Sequence, residues 1–362
     1  MAKVYQAYPE YKDSRVEWLG AIPKEWQNYK IKHLSPVKRG ASPRPIDDPK
    51  FFDDDGEYAW VRIADVSASE MYLEKTTQQM SILGSSLSVK LNIGKLFLSI
   101  AGTVGKPCIT KIKACIHDGF VYFPELKIPE KFLYYIFAGE QAYKGLGKFG
   151  TQLNLNTDTV GDIIIGLPSQ QEIDKIIGYI DHETAKIDSL IEKQQQLIAL
   201  LKEKRQAVIS HAVTKGLNPN VKMKDSGVEW LGDVPEGWAV AGFTKYLATI
   251  VDYRGKTPEK TEDGVFLVTA RNIKNGRIDY NLSQEFISEL DYRLILQRGV
   301  PKLGEILFTT EAPLGEVARV DRVDIALAQR VIKFNGIKNV LDNTFLMYFI
   351  MSTQFQNSLI LF

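Results

Sequence analysis

The side chains best suited to chemistry in this chain are basic and amide groups in polar stretches. The first half offers Arg39, Arg44, Arg62, Lys106, Lys148 and Gln152, and the second Arg254, Lys256, Arg271, Asn272 and Arg330. Guanidinium and ammonium groups bridge paired acceptors and neutralise phosphate, while Asn and Gln bond bidentately to a matching donor–acceptor edge. Such a set recognises a surface; it does not transform one. Catalytic patterns have little support. The four His (33, 117, 182 and 211) lack metal-ligand spacing, Cys108 and Cys115 are the only cysteines, and Asp53-Asp54-Asp55 reads as a solvated turn. Gly145-Leu146-Gly147-Lys148-Phe149-Gly150 matches G-x-G-x-x-G, but it follows a helix-like stretch and not a strand. It reads as a loop, with Lys148 near phosphate and Thr151, Gln152 and Asn154 as polar readers. Ala101-Gly102-Thr103-Val104-Gly105-Lys106 lacks phosphate-loop spacing and reads as a tight turn that Gly315 echoes.

These groups sit on a duplicated framework. Asp13-Ser14-Arg15-Val16-Glu17-Trp18-Leu19-Gly20-Ala21-Ile22-Pro23-Lys24-Glu25-Trp26 returns as Asp225-Ser226-Gly227-Val228-Glu229-Trp230-Leu231-Gly232-Asp233-Val234-Pro235-Glu236-Gly237-Trp238, an offset of 212 residues. An offset that long makes the repeat unit a whole domain. Fainter echoes follow, Lys95–Ile100 on Glu305–Thr310, Asp118–Phe123 on Gln329–Phe334 and Lys131–Phe137 on Thr344–Ile350. The shared positions are mostly apolar or Gly, as expected for one core carrying divergent loops. The register sets Phe362 opposite about residue 149, so the second copy is expected to lack the counterpart of residues 150–214. The four Trp of the two signatures are expected to anchor each signature to its domain.

Short β-branched or aromatic runs at 58–63, 96–100, 120–123 and 163–167, bounded by Gly, Pro and Asp, predict strands, and 130–143 predicts a helix. From Ser169-Gln170-Gln171-Glu172, a capping box after Pro168, the pattern changes. Ile173, Ile177, Ile180, Ile187, Ile191, Ile198, Leu201 and Val208 recur in alternating steps of four and three, interrupted by Thr184, Gln194 and Arg205. This predicts a coiled-coil seam on a helix on the order of 65 Å long that ends at Gly216. The expected organisation is an entry segment 1–26, a mixed domain 27–167, a long helix 168–216, a linker with the second signature 217–237, and a second, incomplete domain 238–362.

Hydrophobic content of 44% and charged content of 25% are ordinary for a globular protein. No run is apolar enough to span a membrane, and the first residues lack a signal-peptide core. Two lone cysteines fit a reducing cytoplasm. A net charge of +1 argues against a non-specific DNA coat but not against a reader that is positive on one face.

The order of signature, variable domain, coiled-coil helix, signature and variable domain resembles the DNA-specificity subunit of type I restriction-modification systems. The Glu-Trp-Leu-Gly-x-[Ile/Val]-Pro-x-x-Trp signatures and the junction Ile165-Gly166-Leu167-Pro168-Ser169-Gln170-Gln171-Glu172-Ile173 carry the resemblance. It implies an α+β fold with two tandem target-recognition domains joined by the long helix, the second truncated. It implies a non-enzymatic subunit that reads a bipartite site on double-stranded DNA, the helices setting the gap. It also implies two methyltransferase subunits that carry S-adenosylmethionine, restriction subunits that use ATP and Mg, and no cofactor on this chain. The basic and amide residues named above then become the DNA-binding candidates. The apolar seam would pair with another helix, and self-association through 169–214 is one candidate pairing.

Two other readings compete. A methyltransferase fused to its recognition domain needs a Gly-rich cofactor loop and a catalytic motif. Asn218-Pro219-Asn220 is the nearest approach; its third residue is not Pro and it lies in a linker. A coiled-coil scaffold that only holds partners together is the other.

Overall fold

A computed structural model describes residues 7–144, 146, 155–253, 255 and 258–360. The chain divides into two compact units, Met1–Asp188 and Ser189–Phe362.

The first unit is built on two sheets. One has five strands in the order Lys38–Arg39, Phe120–Tyr122, Leu96–Ser99, Pro107–Thr110, Tyr72–Leu73. The other has four, in the order Gln78–Met80, Tyr58–Val61, Ala114–Ile116, Val89–Leu91. Tyr58–Val61 and Ala114–Ile116 run parallel, and both are almost wholly buried. Their continuous apolar runs suit strands covered on both faces. Phe97, Leu98, Phe120, Val121, Leu133 and Phe137 are fully buried. Cys108 and Cys115 lie in these strands as free thiols, and burial pushes them up to about 12 and about 11. They behave as small apolar groups. The second unit repeats the plan. Leu247–Asp252, Val331–Gly336, Ile306–Thr309 and Val317–Arg319 form one sheet, and Lys260–Thr261, Phe286–Ile287, Val265–Val268 and Ile325–Leu327 the other. Val265–Val268 runs parallel to Ile325–Leu327, as its counterpart does in the first unit.

Each signature folds as a hairpin, Tyr11–Asp13 with Ala21–Pro23 and Met223–Asp225 with Asp233–Pro235. Ser14 N–H donates to Gly20 O, and Ser226 N–H to Gly232 O. The third residue of the motif is left-handed in both copies, at φ +57° for Arg15 and +72° for Gly227. The signature Trp are half-buried against their own unit: Trp18 packs on the first core, Trp230 on Phe349 and Phe355, and Trp238 on Phe345.

The predicted helix 130–143 is shorter, Glu130–Ala138, with a separate turn at Gln141–Tyr143. Glu140 between them has φ +59°, which a continuing helix cannot hold. The long helix spans Gln170–Lys215, 46 residues, and stops at Gly216 with φ +76°. At 1.5 Å per residue it is about 69 Å long.

The predicted seam on that helix is not one stripe with one purpose. Ile173 is fully inside the first unit's core, and Ile177 packs against the same core with Ile176. Ile180 is half-buried. The turns nearest the first unit therefore spend their apolar face on that domain. In the second unit the helix buries Ser210, Val213 and Thr214, none of them a seam position. Ser210 Oγ accepts from Thr353 N–H at 2.9 Å, and Gln206 Nε2 donates to Met351 O at 2.7 Å. Ile187, Ile191, Ile198, Leu201 and Val208 remain exposed.

Among its described residues the second unit holds a buried ion pair. Lys333 Nζ lies 2.6 Å from Glu305 Oε2, both side chains under 10% exposed, and also donates to Val300 O. Removing one partner strands a charge in the core. Lys333→Ala is expected to destabilise the second unit by about 3–5 kcal/mol, whereas Lys333→Met with Glu305→Leu should recover most of the loss. Equal denaturation midpoints for wild type and the single variant would contradict this. A non-Gly residue in the left-handed region costs about 1 kcal/mol. Arg15→Gly, which copies Gly227, should therefore raise the first unit's melting temperature by a few degrees; a decrease would show that Arg15 makes compensating contacts.

Candidate nucleic-acid interface

The strand order of the first unit brings four loops to one edge. They follow Lys38–Arg39, Tyr58–Val61 and Leu96–Ser99, and join Ala114–Ile116 to Phe120–Tyr122. Backbone bonds fix three of them to each other. Gly40 N–H donates to Phe120 O, Ala41 N–H to Ile116 O, and Ile100 N–H to Gly119 O. The tight turn 99–106 is closed by Gly105 N–H to Ser99 O at 2.8 Å and Ser99 N–H to Lys106 O at 3.0 Å. Gly105 has φ +86°, and an added Cβ would press on the Tyr143 ring; the Tyr143 hydroxyl donates to Gly105 O.

Four of the sequence-derived candidates converge here. Arg39 Nε donates to the Asp118 carbonyl, and Arg44 Nη2 lies 3.4 Å from the Asp118 carboxylate. Arg62, exposed at the end of its strand, bonds Gln78 Oε1. Lys106 is half-buried, and its Nζ donates to Ser67 O at 2.9 Å while Ser67 and Thr103 share a hydroxyl bond of 2.6 Å. Lys106 therefore braces the turn against the neighbouring loop. A cavity of about 640 Å³ opens beside that turn, bounded by Thr103, Lys106, Tyr134, Glu140 and Lys144. Lys148, Gln152, Arg254 and Lys256 lie outside the described residues.

The second unit builds the same edge. Thr309 N–H donates to Glu316 O, Gly315 N–H to Thr309 O, and Thr310 N–H to Arg330 O. Gly315 has φ +85°. Val331 N–H donates to Ala328 O, as Phe120 N–H does to His117 O. Arg271 is exposed on the loop after Val265–Val268, and Arg330 lies 3.3 Å from Glu311. Asn272 corrects its prediction as a reader. It is fully buried, its Oδ1 accepts from Thr269 N–H and Oγ1, and its Nδ2 donates to Asp279 O and Ser283 O. No bonding capacity of that amide is left for a base edge. Asp65 does the same work in the first unit, accepting Arg62 N–H at 2.8 Å.

Sequence reasoning passed over three contributors: His117 with Asp118, the Ser67–Thr103 pair, and Glu311. Asp118 is visible in the sequence only as the match of Gln329, and Glu311 lies just past the matched run Glu305–Thr310. His117 Nδ1 accepts Gly119 N–H at 2.8 Å, and its ring fills the space that a Cβ on Gly119 would need. Burial pushes the imidazole below its ordinary 6.5, partly offset by Asp118. The folded state therefore prefers the neutral ring, and the unfolded chain takes up the proton first as pH falls. Stability from His117 should be full above pH 6.5 and fade as pH drops through the lowered folded value. Scanning calorimetry from pH 7.5 to 5 should show a steeper loss of melting temperature for wild type than for His117→Gln, and parallel curves would rule this out.

Among the described residues, no group of His, Cys, Asp and Glu could hold a metal ion, and no helix is long and apolar enough to cross a membrane. The family profile described as type I restriction modification DNA specificity domain matches residues 23–200. The MjaVIII type I restriction enzyme specificity subunit of Methanocaldococcus jannaschii is 25% identical over 381 aligned positions, covering 99% of this chain and 82% of that protein. The EcoBI specificity subunit of Escherichia coli is 25% identical over 218 positions, 58% of this chain and 46% of that protein. In fold, the chain is similar to the HsdS subunit from Thermoanaerobacter tengcongensis (TM-score 0.51, 12% identity, covering 92% of this chain and 80% of that one). It is also similar to a chain from a structure describing complex assembly and conformational transition of the type I R-M system (TM-score 0.56, 13% identity, 94% and 83% covered). Residues 23–200 carry the DNA specificity domain of type I restriction modification, and with its duplicated signatures, paired mixed α+β units and 46-residue helix the chain is similar along its length to a type I specificity subunit.

Proposed function

We propose that the loop edge of each unit reads one half of a bipartite site on double-stranded DNA, and that the chain directs a methylation and restriction complex there. One observation carries this reading. The two edges share the same backbone bonds around the tight turn and the loop beside it, and carry different side chains on them. Protein–DNA contacts divide into backbone positioning and base reading. Arg39, Arg44, Arg62 and Arg271 suit the first, and the divergent tips suit the second. The chain is non-catalytic, as its family is.

The domain limits follow the same reading: an entry segment 1–26, recognition domains 27–167 and 238–362, a spacer helix 168–216 and a linker 217–237. Methyltransferase subunits would bring S-adenosylmethionine, and restriction subunits ATP and Mg, all in the cytoplasm. The exposed apolar residues from Ile187 to Val208 are then the surface for helices of those subunits or of a second copy.

The test is DNA affinity of the methyltransferase complex against salt concentration. Arg39→Ala, Arg44→Ala and Arg62→Ala should each weaken binding across sequences and reduce the salt slope by about one unit per lost phosphate contact. Lys113→Ala, at the opposite end of strand Ala114–Ile116 and paired with Glu57, should change neither. Unaltered binding in all three edge variants would sink the proposal.

A further inference from the structure

Glu311 is an unusual side chain for an edge that meets phosphate. It is 64% exposed, as a carboxylate it can only accept hydrogen bonds, and it lies 3.3 Å from the 51%-exposed guanidinium of Arg330. So exposed a pair adds little to stability. Nor does the fold need it. The first unit makes the same turn, with Ile100 N–H on Gly119 O and Gly105 N–H on Ser99 O, using Ala101 where the second has Glu311 and Gly119 where it has Arg330. The exchange is sterically coupled. His117 fills the space beside Gly119, whereas the second unit has Ala328 at that position, which leaves room for the arginine. The neighbouring position behaves differently. Lys106 donates to Ser67 O, and its counterpart Glu316 accepts from Asn275 N–H at 3.0 Å, so opposite charges serve one bracing role. The turn is braced in both units, and the outward pair is present in only one.

We infer that Glu311 and Arg330 together determine specificity at a single G·C base pair in the half-site read by the second unit. In the major groove a G·C pair shows two acceptors on guanine, N7 and O6, beside one donor, the cytosine amino group. The Arg330 guanidinium offers paired donors and the Glu311 carboxylate an adjacent acceptor, which is the complementary pattern. Before DNA arrives, the two side chains satisfy each other, which lowers the repulsion between Glu311 and phosphate. An A·T pair in either orientation shows acceptor, donor, acceptor, so a donor faces Arg330 where guanine O6 would be and an acceptor faces Glu311 where the cytosine amino group would be, and both charged side chains are mismatched.

This rests on the loop edge being the DNA interface, and the test separates the two claims. The full chain, in its methyltransferase complex, is used to select bound sequences from a randomised duplex library. Wild type is compared with Glu311→Ala, Glu311→Gln, Arg330→Ala and the edge variant Arg44→Ala. Glu311→Ala and Arg330→Ala should each lose on the order of 10- to 100-fold preference at one G·C position, in the same half-site. The other half-site should be unchanged. Glu311→Gln keeps the shape of the side chain and guards against a folding artefact; it should also lose preference for cytosine there. If both alanine variants select the wild-type motif with wild-type preference while Arg44→Ala weakens binding, the pair assignment is overturned and the interface stands. If Arg44→Ala also binds as wild type, the interface reading falls and takes the assignment with it.

Discussion

A glycine amide reaching back to a strand-end carbonyl holds each loop edge in place: Gly105 to Ser99 in the first unit, Gly315 to Thr309 in the second. Both glycines sit near φ +85°, where an L side chain is strained. The bond pins a tight turn to the end of a buried strand, and the turn in turn fixes the loop beside it through Lys106 or Glu316. Loops joined this way inherit the rigidity of the sheet beneath them. A reader of base edges needs that rigidity, because hydrogen bonds tolerate errors of only a few tenths of an ångström.

The same arrangement frees the tips. The turn is held by main-chain bonds and a few bracing side chains, so outward positions such as 101 and 311 are free of that duty and can differ. Ala101 and Glu311, or Gly119 and Arg330, are alternatives on one frame. A duplicated domain of this kind keeps its core and changes its reading surface, which is how one fold serves many sites. The near-zero net charge is compatible with this. Arg39, Arg44, Arg62 and Lys106 lie together at the first edge, while pairs elsewhere, such as Lys113 with Glu57 and Lys111 with Glu74, neutralise each other.

Much of this was visible in the sequence where a local rule applies. The Trp-Leu-Gly and Pro spacing exposed the duplication, and Pro168-Ser169 and Gly216 bracketed the long helix within a residue or two. The short strands stood out because β-branched and aromatic residues cluster between Gly, Pro and Asp. The misreadings were of a different kind. A 3.5-residue period reports that a helix has an apolar face but not what covers it, so Ile173 read as seam although it completes the first domain's core. An amide in a loop is equally suited to a base and to a backbone N–H. Only the matching Asp65, a carboxylate that cannot imitate an amide's donor, marks Asn272 as a turn-holder. The Glu311–Arg330 pair joins residues far apart in sequence, and no local pattern announces it.

The central claim is that two similar frames with different tips read two different half-sites. Mapping methylated positions across a genome, in cells that carry this chain with its methyltransferase, tests it most directly. The account predicts a split motif whose two halves differ in sequence, separated by a fixed gap of unspecified bases. A palindromic motif would contradict it, because only one of the two edges would then be reading DNA.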